Sequence, residues 1–128
     1  MKAGTRTEIE KRLKRARKFI ETNFDKDITL TDMAMEACLS IHHFKRLFRQ
    51  HYTLAPHQYM IKRRLEHAKK LLTNSRMSIN DVCLVIGFQN TSSFIRLFKS
   101  HEGSTPFYFR KLWSSQTQTV RDHSKLKL

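Results

Sequence analysis

Glycine and proline are scarce, with three Gly and two Pro in 128 residues. Few positions are therefore equipped for the tight turns on which hairpins, sandwiches and barrels depend. Leu, Ile and Phe recur at spacings of three and four, and no convincing run of strands is present. The chain reads as all-α. Cysteine is equally sparse: Cys38 and Cys83 sit in apolar patterns rather than in a CxxC or a dense framework. This excludes a disulfide scaffold and predicts reduced, buried thiols. No apolar stretch reaches the length of about 18 residues that a membrane helix needs. The opening segment, MKAGTRTEIEKRLKRARKF, lacks the apolar core of a signal peptide, so a cytoplasmic protein with no membrane partner is expected. Acidic residues are also few, 11 Asp and Glu against 25 Lys and Arg, for a formal net charge of +14.

So large a basic excess sets up a field that attracts polyanions, and it repels itself unless something uses it. Nucleic acid is the first candidate partner. A merely basic surface is the blander alternative. The length allows one ordinary domain, or two small lobes sharing a core, because a lobe of about 50 residues buries little apolar surface alone. Nothing in the sequence suggests catalysis. There is no Ser/His/Asp order, no glycine loop to cradle phosphate and no isolated acid pair, so no catalytic residue and no cofactor is assigned.

The main positive feature is a repeat. TLTDMAMEACLS, from Thr29, matches SINDVCLVIGFQ, from Ser78, at an offset of 49. Thr29 falls over Ser78, Asp32 over Asp81 and Ala34 over Cys83. A hydroxyl residue three before an Asp is a short-acid form of the capping box, so a helix begins at each place. One extra residue in the second turn raises the offset to 50, and Phe44, Arg46, Leu47, Phe48, His51 and Pro56 fall over Phe94, Arg96, Leu97, Phe98, His101 and Pro106. Gly87 ends the first helix of the second copy and is suited to a left-handed conformation; Cys38 occupies that place in the first.

On a helical wheel Phe44, Leu47, Phe48 and His51 form a packing face, while His42, Lys45, Arg46 and Arg49 form an outer one. In the second copy Phe94, Leu97, Phe98 and His101 pack, and Ser92, Ile95, Arg96 and Lys99 face outward. An outward Ile amid polar neighbours suits contact with a thymine methyl. A short helix, a tight turn and a second helix with a basic outer face make a helix-turn-helix, whose second helix enters the major groove. Two copies predict two grooves contacted.

Between the copies, PHQYMIKRRLEHAKKLL begins with Pro56 and carries Ile61, Leu65, Ala68 and Leu72 on one stripe. It reads as a linker helix of roughly 25 Å, which suits recognition helices set roughly 34 Å apart along DNA. Ile9, Leu13, Ala16 and Ile20 place one stripe on an amphipathic first helix with six basic residues among positions 11 to 18. The boundaries expected are an N-terminal extension at 1–7, a first helix-turn-helix subdomain at 8–55, the linker helix at 56–73, a second helix-turn-helix subdomain at 74–113 and a mobile basic tail at 114–128.

Three segments carry a resemblance: ITLTDMA, FKRLFRQHYTLAPHQYMIKRRLEHAKKLL and, above all, GFQNTSSFIRLFKSHEGSTPFYFR. Over roughly residues 8–112 the chain resembles the DNA-binding domain of the AraC/XylS family of bacterial transcription regulators. The resemblance implies about seven helices in two helix-turn-helix subdomains joined by a long helix, with both recognition helices in adjacent major-groove segments of double-stranded DNA. By position it implies base-reading roles for His42, Lys45, Arg46, Thr91, Ser92, Ile95 and Arg96. The backbone contacts expected are Ser40, Arg49, Asn90 and Lys99. RNA polymerase is the implied second partner, the bacterial nucleoid the implied location and activation the implied direction. Two departures fall in the first copy, where Cys38 and Thr53 stand in places the family gives to glycine. In size the chain is similar to the MarA/SoxS type, which act as monomers. The alternative is the C-terminal part of a longer protein, in which case a dimer is open.

Two rival readings differ in class. Cys38, His42, His43, His51 and Cys83 are possible zinc ligands, but no CxxC or HxxEH-like core pairs them, and His42 and His51 fall on different faces of one helix. No metal site is assigned. A sequence-indifferent, architectural DNA binder using charge alone is the other, to be separated by the ratio of affinities for a selected site and for random DNA.

Overall fold

The computed structural model describes residues 5–114. Residues 1–4 and 115–128 lie outside them, and with the latter nearly all of the segment read as a basic tail. Among the described residues there is no strand and there are seven helices: α1 (Arg6–Asn23), α2 (Leu30–Glu36), α3 (Ile41–Tyr52), α4 (Pro56–Asn74), α5 (Ile79–Val85), α6 (Thr91–Glu102) and α7 at 106–114. Two compact units divide inside α4, between Arg64 and Leu65.

In the first unit α1 starts at Arg6, within the stretch expected to be an extension, because the Thr5 side chain caps it by accepting the Glu8 amide at 3.3 Å. Leu13, Ala16 and Ile20 are buried as their spacing predicts, and they share a core with Met33, Ala34, Ala37, Phe44, Phe48 and Met60. The expected cap of α2 is present in full: Thr29 Oγ1 accepts the Asp32 amide at 3.1 Å while Asp32 accepts the Thr29 amide at 2.8 Å. Two orphan donors are thereby satisfied at once.

The first half of α4 is held to α1 by polar side chains that the apolar stripe does not reveal. Arg63 Nε donates to Glu21 at 2.7 Å, and the Tyr59 hydroxyl donates to the other oxygen of the same carboxylate. Arg64 is only 7% exposed. Its guanidinium donates to the Phe24 carbonyl at 2.6 Å and the Lys26 carbonyl at 3.1 Å, so a charge that would be costly to bury closes the end of α1.

The second unit repeats the plan. Ser78 caps α5 by accepting the Asp81 amide at 3.0 Å. Leu65, Ala68 and Leu72 of α4 are buried, as are Val82, Cys83, Ile86, Phe94 and Phe98. Rings run in sequence from Phe88 to Phe94, Phe98 and Phe109, with centroids 5.4–5.9 Å apart. Arg110 of α7 donates to the Leu72 carbonyl at 2.9 Å, and Lys69 pairs with Glu102 at 3.2 Å.

The turns confirm the register of the repeat. The Leu39 amide donates to the Ala34 carbonyl at 3.1 Å and the Phe88 amide to the Cys83 carbonyl at 3.0 Å, the six-to-one bond of a left-handed helix end. The residue that turns is Cys38 at φ +54° in one copy and Gly87 at φ +101° in the other. Further on, Thr53 at φ +68° matches Gly103 at φ +83°.

Two expectations about packing are corrected. Cys38 is exposed, not buried, because the left-handed turn carries its side chain off the apolar face of α2; Cys83 is buried as expected. His51 and His101 are exposed although the wheel put them on the packing faces. Both stand in the last turns of α3 and α6, where the helices have run past the buried phenylalanines, and His51 lies edge-on to Tyr52 at 4.6 Å instead.

Candidate nucleic-acid interface

Two side chains anchor each candidate recognition helix. Phe44 and Phe48 of α3 are fully buried, with ring centroids 5.4 Å apart; Phe94 and Phe98 of α6 are fully buried, at 5.9 Å. Spaced four residues apart, each pair fixes which side of its helix faces the core and therefore which side faces solvent. On α3 that leaves His42, Lys45, Arg46 and Arg49 exposed, and on α6 Ser92, Arg96 and Lys99. Lys45, Arg46, Arg49, Arg96 and Lys99 have no side-chain hydrogen bond or ion pair among the described residues. Helix α3 contains no acidic residue, and Glu102 of α6 is occupied by Lys69. The outward faces thus present unpaired cations and neutral donors, the chemistry that phosphates and the acceptor edges of guanine take up.

The remaining candidates already have partners. Ser40 is the N-cap of α3, its hydroxyl oxygen accepting the His43 amide at 3.2 Å. Asn90 is the N-cap of α6, accepting the Ser93 amide at 3.0 Å. Thr91 is partly buried and donates its hydroxyl to Asn80 Oδ1 at 2.6 Å. Ile95 is partly buried as well, less outward than its polar neighbours imply. The role of Asn80 was not legible beforehand: it lies in the first helix of the second copy, and only the turn between α5 and α6 brings it to Thr91. Among the described residues no group of three or more His, Cys, Asp or Glu is placed to hold a metal ion.

The same duplicated unit, helix, left-handed turn and basic helix, defines the class as a double helix-turn-helix protein. A family model described as a helix-turn-helix domain matches residues 33–112, and the chain belongs to that family, in its AraC-type branch. Among curated relatives, the melibiose operon regulatory protein of Escherichia coli (strain K12) is 32% identical over 101 residues, covering 79% of this chain and 33% of its own. The transcriptional activator NphR of a Rhodococcus species is 38% identical over 100 residues, covering 77% and 30%. The chain thus spans about a third of the length of these relatives. Among solved structures, the DNA-binding domain of the global transcriptional factor AdpA, in complex with a target DNA, superposes with a TM-score of 0.78 at 25% identity, covering 81% of this chain and 94% of that one. An AraC-type transcriptional regulator from Chromobacterium violaceum gives 0.74 at 27%, covering 80% and 91%.

Proposed function

We propose that the chain is a sequence-specific, double-stranded DNA-binding transcription regulator that places α3 and α6 in adjacent major-groove segments. The observation that carries this reading is the duplication of one exposed arginine, Arg46 and Arg96, at the same place over the same buried phenylalanine pair. An arginine so presented reaches guanine O6 and N7 with two donors. His42, Lys45, Ser92, Thr91 and Ile95 complete the base-reading set, with Thr91 offering its oxygen lone pairs while its O–H donates to Asn80 Oδ1. Arg49, Lys99, Ser40 and Asn90 hold the backbone on either side.

Activation is the proposed direction of control, supported by the activator among the relatives. RNA polymerase in the bacterial cytoplasm is the proposed further partner. A monomer carrying two readers suffices for a non-palindromic site; membership of a longer chain would allow a dimer. Selection of DNA from a random pool tests the reading. A recovered motif bound about a thousandfold or more tighter than random duplex is the expected result. Equal affinity for both would leave a charge-driven architectural binder in its place.

A further inference from the structure

The basic run of α1 has a second side that the amphipathic reading leaves unused. Leu13, Ala16 and Ile20 face the core, which turns Lys11 and Arg15 to solvent on the opposite face. Near the start of α1 the helix borders a cavity of about 490 Å³, lined by Thr5, Glu8, Lys11, Arg12, Arg15 and Cys38. Its one carboxylate, Glu8, is taken by Arg12 at 3.0 Å. Lys11 and Arg15 have no hydrogen-bond or ion-pair partner among the described residues. The far wall is Cys38, the exposed residue of the left-handed turn, two positions before the Ser40 cap of the first candidate recognition helix. Two free cations therefore meet in an open recess beside the N-terminus of α3, with room for a backbone phosphate, and the group whose charge they fit is a phosphate.

We propose that Lys11 and Arg15, with the Cys38 turn, form a phosphate-binding pocket that holds the DNA backbone next to the first recognition helix. This rests on the DNA-binding reading above. The pocket adds affinity and orientation without reading sequence, because a phosphate is the same at every base pair. It gives α1 a direct part in docking.

The test uses the full chain, a selected duplex and a random duplex, titrated over a series of salt concentrations. Lys11→Ala/Arg15→Ala should weaken both duplexes by the same factor, leave the preferred motif unchanged and flatten the slope of log affinity against log salt by about 0.9, the value for one phosphate neutralised. Lys26→Ala/Lys62→Ala removes the same charge outside the pocket and should leave the slope near that of the unaltered protein. Carboxymethylation of Cys38 with iodoacetate should weaken binding more than carbamidomethylation with iodoacetamide, since only the first places a negative charge in the recess; Cys83 is buried and spared. An unchanged slope in the Lys11/Arg15 variant, or an equal loss in the control pair, overturns the pocket while leaving the DNA-binding reading standing. If the unaltered protein binds neither duplex, both fall together. Saturable protection of Cys38 from iodoacetate by inorganic phosphate, with DNA binding unaffected by the variant, would assign the pocket to a free phosphorylated anion and overturn it as a DNA contact.

Discussion

Cys38 and Thr53 hold positive φ angles without the freedom of glycine. For an L-residue the left-handed region costs roughly 1–2 kcal/mol, and Thr53 is β-branched, which makes its conformation the more strained. Thr53→Gly relieves that strain at the expense of added freedom in the unfolded chain, about 0.4–1 kcal/mol. A net gain of about 0.5–1 kcal/mol should appear as a higher urea midpoint with unchanged m-value. The mirror experiment is Gly103→Ala. Nothing lies within 4 Å of a Cβ added there, so its expected cost of about 1 kcal/mol is one of backbone conformation alone. A Thr53→Gly midpoint equal to or below that of the parent would show that the turn is unstrained. Tyr59 supplies a second test at this scale. Burial first, then its hydrogen bond to Glu21, pushes its pKa up to about 12. A raised folded pKa means that its contribution is complete below the ordinary value of about 10 and is lost as pH rises towards about 12. Tyr59→Phe should cost about 1.5 kcal/mol at neutral pH and should abolish that part of the alkaline decline; parallel stability curves for the two proteins from pH 8 to 12 would contradict it.

Among the elements, the short helices α2 and α5 depend most on their caps. Each has seven residues, too few to be stable alone, so the first turn must be nucleated by side chains and finished by packing. Thr29→Ala and Ser78→Ala should each lower stability by about 1 kcal/mol. The Thr29 change should be the larger, because its bond is reciprocated by Asp32. Chemical denaturation decides, and unaltered midpoints in both variants would mean that the caps add nothing beyond solvent hydrogen bonds. Neither change should affect which DNA is selected, since both residues start the helix that precedes the reader. Helix α4 uses a different device. Its first half is tied to α1 through Tyr59, Arg63 and the buried Arg64, whose pKa is lowered by desolvation against the opposing pull of Asp27 and Asp25.

For the whole molecule, a net charge of +14 accompanies two copies of the proposed reader. If Arg46 and Arg96 read bases, Arg46→Ala should relax preference in one half of the selected site and Arg96→Ala in the other, about 10 base pairs apart, each at about 1–3 kcal/mol. Folding should survive, because both side chains are exposed. If the arginines met only phosphate, each variant would keep the parental motif and lose about one phosphate's worth of salt slope. Repeating the selection with each variant separates these outcomes.

The features legible in the amino-acid order were those set by neighbours within one turn of chain. The apolar spacing of Phe44 and Phe48, repeated in Phe94 and Phe98, determined which faces pack. Thr29 with Asp32 determined where a helix begins. Gly87 marked one left-handed turn, the offset of 49 aligned Cys38 with it, and the resemblance set Thr53 where the family has glycine. The tertiary structure decided what depends on distant segments meeting. It showed where the phenylalanine faces run out and so left His51 and His101 in solvent. It set Thr91 on Asn80 across a turn, closed the end of α1 with Arg64 from 38 and 40 residues away, and left Cys38 exposed to line one recess with Lys11 and Arg15. Periodicity ranks the residues of one helix against each other; it has no information about which other helix lies beyond its end, and that is where these side chains find their partners.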